Sequence, residues 1–217
     1  NEIMDTEQYN EIKFNNLKLE SNITSVKEEK IKNVLRNKID NYFEILSISD
    51  KKLQNKFGVH IINTLEEAES LATKLRIFFT IPVDAPISNL IYLLESHDMM
   101  IITIPQSKDT EGFIGFYETI NNVPIIAVPE ASNGYEQRYN VAKYLGELLM
   151  VSYNNKDALT TRFALSLLIP RQSLINEFGE FRNKIEQKEI EIYSRIYKVS
   201  YKNIIKRLQM CEIITQS

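Results

Sequence analysis

Lys143, Tyr144 and Glu147 stand at positions that would bind a metal if their side chains were different. Residues four apart on a helix share one face, one turn above the other. Two imidazoles at that spacing, with a carboxylate directly after the first, grip one zinc ion and supply the base that activates its water. The segment here runs Arg138-Tyr139-Asn140-Val141-Ala142-Lys143-Tyr144-Leu145-Gly146-Glu147-Leu148-Leu149. Lys143 and Glu147 occupy the two ligand positions and Tyr144 the base position. A protonated lysine offers three donors and no lone pair to a metal. A phenol of ordinary pKa, near ~10, starts protonated and is no base at neutral pH. One carboxylate alone does not hold zinc against bulk water. The helix spacing is kept and the ligand set is lost.

Helical periodicity over 134–153 puts Val141, Ala142, Leu145, Leu148 and Leu149 on an apolar stripe that faces a core. Tyr139, Lys143, Glu147 and Met150 fall on the other side. Taken by itself, that second face is either a solvated Lys143–Glu147 pair worth ~0.2–0.5 kcal/mol or the floor of a cleft. In the second case the Lys143 ammonium stands near the place of the cation, with Glu147 as its counter-ion.

No other metal or nucleophile constellation competes. His60 and His97 are far apart, with no second ligand at helical or hairpin spacing. There is no G-x-S-x-G elbow, and the six glycines form neither GxGxxG nor GxxxxGK. Net charge is −3, so no global basic field points to nucleic acid. A local one exists: Arg195, Lys198, Lys202, Lys206 and Arg207 run without an intervening acid. The single cysteine, Cys211, has no internal partner, and a reducing, cytoplasmic setting is expected. No apolar run approaches the ~20 residues that span a bilayer, so no membrane partner is expected. With 217 residues, 43% of them hydrophobic, the chain can bury a sizeable core.

The elements that must position the 134–153 helix follow from pattern. Leu35, Ile39, Tyr42, Phe43 and Leu46 predict an amphipathic helix over 26–48. Thr64-Leu-Glu-Glu67 is a capping box opening a helix to about Phe79, and Pro86 suits the first turn of a helix over Ile87–Ser96. Met99–Ile104, Phe113–Thr119 and Val123–Val128 read as strands, the last two a hairpin turning at Asn121-Asn122. Helices are expected again over 157–168, 180–197 and 200–209. The predicted fold class is α+β, a small mainly antiparallel sheet packed on a helical core with N- and C-terminal helices. The expected domains are a helical connector over 1–60, a central domain over 61–178 and a C-terminal helical subdomain over 179–217.

Four segments in order resemble the ImmA/IrrE family of zincin-like metallopeptidases, together covering about residues 67–214. Arg138-Tyr139 and Ala142–Leu148 are similar to its Arg-Phe-x-x-Ala-His-Glu-Leu-Gly-His-Leu helix. Asp157 and Phe163-Ala164-Leu165-Ser166-Leu167-Leu168-Ile169-Pro170 are similar to an acid followed by Phe-Ala-x-x-Leu-Leu-Met-Pro. Ala85–Glu95 is similar to the upstream x-Pro-x-x-Asn-Leu-x-x-Leu-Leu-Glu helix, and Val199-Ser200 through Arg207-Leu208 to the family's close.

The resemblance implies two histidines and a later acid on zinc. Leu159 aligns best with that acid, and Asp157 is the only acid nearby. Both histidines and the base are therefore replaced, and the expectation is a pseudo-peptidase with no catalytic residue, metal or cofactor. The implied role is a sensing or protein-binding module of a bacterial or prophage regulatory system, as the effector part of a transcription regulator. A protein or peptide is the expected ligand, and the hairpin strands are its expected receptor, because an exposed edge strand pairs with an extended peptide. Phe116, Tyr117, Arg138 and Tyr139 are the binding candidates. DNA contact is expected only through a helix-turn-helix upstream, and a homodimer is left open. The alternative is an active zinc peptidase that cleaves a repressor through an atypical metal site.

Overall fold

A computed structural model describes residues 12–49, 53–131 and 133–214. The architecture is α+β. In chain order the elements are β1 (Leu17–Leu19), α1 (Ser25–Ile48), β2 (His60–Ile61), α2 (Leu65–Phe78), α3 (Leu90–Glu95) and β3 (Met100–Ile104). These are followed by β4 (Phe113–Ile120), β5 (Val123–Pro129), α4 (Gly134–Leu149), β6 (Met150–Val151) and α5 (Lys156–Leu168). The chain closes with α6 (Arg171–Phe178), α7 (Gln187–Tyr197) and α8 (Tyr201–Met210).

The main sheet has the order β1-β4-β5-β3. β4 and β5 form the anticipated hairpin, with Asn121 at φ 48 and Asn122 at φ 63, the left-handed pair that a tight turn requires. β3 lies parallel to β5, and β1 antiparallel to β4. β5 is buried along almost its whole length because both sheet faces are covered.

One face carries α1. Ile31, Leu35, Ile39 and Phe43 pack there on Met100, Ile102, Phe116, Ile125 and Ala127. The segment expected as a connector thus contributes β1 and α1 to the body of the fold. The other face of the sheet receives the helical layer, where Tyr117, Ile126 and Val128 meet α4 and, behind it, α5. α5 is buried from Leu159 to Leu168 apart from Arg162 and forms the axis of that layer.

Several boundaries differ from the sequence reading. The capping box at Thr64 is formed as expected, its hydroxyl accepting from the Glu67 amide. Helix α3 starts at Leu90, capped by Asn89, so Pro86 stays in the loop before it. Helix α4 stops at Leu149, because Met150–Val151 pair in parallel with His60–Ile61. The helix expected over 180–197 begins only at Gln187, as α7, and an unanticipated helix, α6, precedes it and stops before Gly179, whose φ of 79 leaves the helical region.

Candidate functional site: the Lys143–Glu147 face of helix α4

The site is built where α4 crosses under β4 and meets the start of α5. Its geometry assigns each of the three altered positions a specific partner. The Lys143 ammonium lies 2.6 Å from Asp157 Oδ1, not on Glu147. Glu147 Oε2 takes the Lys156 ammonium at 2.9 Å and the Tyr117 hydroxyl at 3.0 Å. The counter-ion assignment made from helical spacing is therefore corrected. Both cations of the site, Lys143 and Lys156, reach across the α4–α5 junction rather than along α4. Packing brings the first turn of α5 closer to these charges than the i,i+4 geometry does.

Tyr144, at the base position, is plugged into the sheet. Between Lys18 and Leu19 the β1–β4 register slips, so that Lys18 faces Gly115 while Leu19 faces Phe113, and Ile114 bulges. The Tyr144 hydroxyl donates to the freed Ile114 carbonyl at 3.1 Å. Its ring lies so close to Gly115 that a Cβ there would come within 2.4 Å of ring atoms, which is why that position is glycine. Burial, and then the Glu147 charge, push the Tyr144 phenol up to about 12. Burial, the Glu147 charge and the hydrogen bond to it also raise the Tyr117 phenol well above its ordinary value. Both phenols stay protonated at neutral pH and act as donors. The two rings stack, with centroids 5.8 Å apart.

Asp157 is exposed (77% of its side chain), and the hydrogen bond from Lys143 holds its carboxyl below the ordinary carboxylate value. Glu147 is nearly enclosed, with 10% of its side chain exposed. These residues do not fit zinc. Only Glu147 and Asp157 are metal-ligand types, and each already neutralises an ammonium. Among the described residues no group of three or more His, Cys, Asp or Glu is placed to hold an ion.

The other candidates divide. Tyr117 is at the site. Phe116, its neighbour, points to the opposite face of β4 and is fully buried under α1 against Phe14, so it is not part of this site. Arg138 is buried, and its guanidinium bonds the Ile87 carbonyl. Burial lowers it to about 10, with the Arg76 charge adding to the effect. The Tyr139 hydroxyl reaches Thr161 Oγ1 at 3.4 Å, a contact within the helical layer. Leu159 is core. The expected receptor strands also need correction: β5 is interior, and the outer edge of β4 carries β1.

The sequence reading missed Lys156 and Lys18, whose ammonium groups lie 5.6 and 5.8 Å from the centroid of the Tyr117 ring. A signal for Lys156 was available: a cation at the first position of a helix opposes the helix dipole, so it needs a tertiary partner. Lys18 carried no such signal. The basic run near the C-terminus is smaller than it looked. Arg207 is fully buried on Glu69, and Lys198 bonds the Ser88 carbonyl at 3.0 Å, so neither is free for phosphate. Two surface cavities lie elsewhere, around Pro105–Phe113 and around Glu130–Asn140, and neither is lined by Lys143, Tyr144, Glu147 or Asp157.

No family model matches the chain, and no curated protein matches it. Among solved structures it is similar to a transcriptional regulator from Mycobacterium tuberculosis, at 10% identity and a TM-score of 0.44. That alignment covers 66% of this chain and 47% of the other, so the chain spans about half of that regulator's length. A likeness of this size assigns neither family nor function. Among the described residues no helix is long and apolar enough to cross a membrane.

Proposed function

We propose that the chain is a catalytically inactive relative of the ImmA/IrrE metallopeptidases that uses the former active-site groove to bind an extended peptide. The reading places it in a bacterial or prophage regulatory system, as the effector part of a transcription regulator. One observation carries it: Lys143, Tyr144 and Glu147 are each committed to an internal bond, to Asp157, the Ile114 carbonyl and Lys156 respectively. The Lys143–Asp157 and Lys156–Glu147 pairs leave the site electrically neutral without a metal, and so without a water-activating centre. A protonated phenol in the base position holds the neighbouring strand and accepts no proton. Aromatic and charged side chains lie together here, Tyr117 and Tyr144 with Lys18, Lys156 and Glu147, the kind of surface that recognises a peptide backbone and its side chains.

The test has two arms. Chain equilibrated with zinc and then desalted is expected to retain far less than one ion per molecule by elemental analysis. Stoichiometric zinc together with chelator-sensitive proteolysis would restore the active-peptidase alternative. Peptides selected by display against the full chain are expected to shift the NMR amide signals of residues 113–119. A selection that yields no binder, or binders that leave those signals unmoved, removes the groove reading. A helix-turn-helix upstream in the same open reading frame is the expected source of any DNA contact.

A further inference from the structure

The outer edge of β4 is filled by the chain itself. Leu17, Lys18 and Leu19 run antiparallel to it, paired with Phe116, Gly115 and Phe113, and the Glu20 amide bonds the Gly112 carbonyl at 2.9 Å. An extended peptide adding to this edge would take the same course. The two leucines of β1 are half-buried on the α1 side of the sheet. Lys18 projects to the groove side, its ammonium over the Tyr117 ring, whose hydroxyl bonds Glu147. The pattern is apolar–basic–apolar, and each position meets the matching surface: core, acid-backed aromatic, core.

The fit is incomplete in a way that matters. β4 is eight residues long and β1 only three. Before Leu17 the chain turns away at Asn15–Asn16, so β1 pairs with nothing beyond Phe116. Among the described residues no strand pairs with this edge at Glu118–Ile120: the Asn16 side-chain amide donates to the Glu118 carboxylate at 3.1 Å, and the Thr119 amide is closed off by the other Glu118 oxygen at 3.1 Å. A short strand with a register slip is held weakly, and an exposed edge beside it is an open template. A longer strand could begin pairing at Glu118–Ile120 and advance along β4, peeling β1 away.

We infer that β1 is a tethered occupant of the peptide groove, and that the partner is an extended segment of another protein carrying a lysine or arginine between two apolar residues. This deepens the reading above and rests on it. A short tether sets an effective concentration in the millimolar range, so a free peptide no longer than β1 competes poorly, while one pairing with the whole of β4 displaces it.

The test uses the full chain and a labelled peptide of residues 14–22, Phe-Asn-Asn-Leu-Lys-Leu-Glu-Ser-Asn, followed by fluorescence anisotropy. L17D/L19D removes the apolar anchors of β1, and K18E, a single exposed change, serves if the double variant does not fold. Hydrogen exchange should report a freed Glu20 amide with α1 and α4 still protected. Either loosened chain is then expected to bind the peptide about tenfold more tightly than wild type. The same peptide with glutamate in place of its lysine should lose that gain. Equal binding by wild type and a loosened chain, with Glu20 shown to be free, overturns the inference. So does indifference to the lysine. If display-selected peptides bind the full chain while the 14–22 peptide never binds a loosened one, the inference fails and the groove reading stands. If the 14–22 peptide binds the loosened chain but no foreign peptide competes with it, the closing role of β1 stands and the receptor reading fails.

Discussion

Two glutamates, Glu69 on α2 and Glu147 on α4, each tie helices together through cations, and the contrast between them separates a bidentate fork from a looser point-charge contact. Glu69 receives the Arg207 guanidinium as a fork, Nη1 at 3.1 Å and Nη2 at 2.5 Å, and Arg162 Nη1 at 3.2 Å. Arg207 is 0% exposed and also donates through Nε to the Ile169 carbonyl at 2.9 Å, while Arg162 caps the Met210 carbonyl. A planar guanidinium fits a carboxylate at two points and bonds carbonyls with its remaining donors, so this cluster is specified from every side. Glu147, more enclosed than Glu69 (10% against 25% of the side chain exposed), instead meets the flexible ammonium of Lys156 and a phenol, both at the same oxygen. Point charges on long stems hold a site neutral without locking its shape.

A neighbouring structure repeats the first pattern. Arg76, buried with its value lowered to about 10 mainly by burial, bonds the carbonyls of Leu167, Pro82 and Ala85. With Ser173 and Tyr197 on the Asp84 carbonyl, it pins the loop before α3 to the helical layer.

The sharpest way to break the comparison is Arg207→Ala. It leaves Glu69 with Arg162 alone and the buried Ile169 carbonyl without its donor, and about 3 kcal/mol of stability should be lost in urea unfolding. A loss under about 1 kcal/mol would put the two glutamates in one class. Next is Gly115→Ala, which forces Tyr144 out of its seat on the bulge. About 1–3 kcal/mol is expected, with near-UV circular dichroism reporting the displaced tyrosine. Tyr144→Phe keeps the ring and removes only the bond to Ile114, so about 1 kcal/mol is expected. The smallest effect belongs to Lys143→Met, about 0–1 kcal/mol and fading with salt, because Asp157 is exposed.

Acid should sharpen the same contrast. Glu69 lies below its ordinary value of 4.5, since the Arg207 hydrogen bond and the Arg207, Arg162 and Arg171 charges outweigh its burial. A group with a lowered folded value stabilises fully above its unfolded value and loses that contribution as pH falls through the folded one. Wild type should therefore lose stability steeply below the ordinary carboxylate range. Arg207→Ala should lose less over the same interval, as followed by thermal unfolding at stepped pH.

Local signals in the sequence were strong where the physics is local. Thr64 and Glu67 cap a helix through contacts three residues apart, and Asn121-Asn122 turn a hairpin through their own φ angles. The α4 face was legible for the same reason, because 3.6-residue periodicity alone separates Val141 and Leu145 from Lys143 and Glu147. The strand β1 was not legible. Three residues within a polar stretch carry no period, and they become a strand only because β4 offers an edge. Helix α6 was not legible either, because its eight residues between Pro170 and Gly179 give only about two turns of period.

From residue types alone the chain already states that positions 143, 144 and 147 carry an ammonium, a phenol and a single carboxylate in place of two imidazoles and a base, since donor chemistry belongs to the side chain wherever it sits. Which charge faces which was decided only by the tertiary structure. Lys143 turns to Asp157, Glu147 to Lys156, and Lys18 arrives from a distant strand, because the crossing of α4, α5 and the sheet sets distances that spacing along one helix cannot encode.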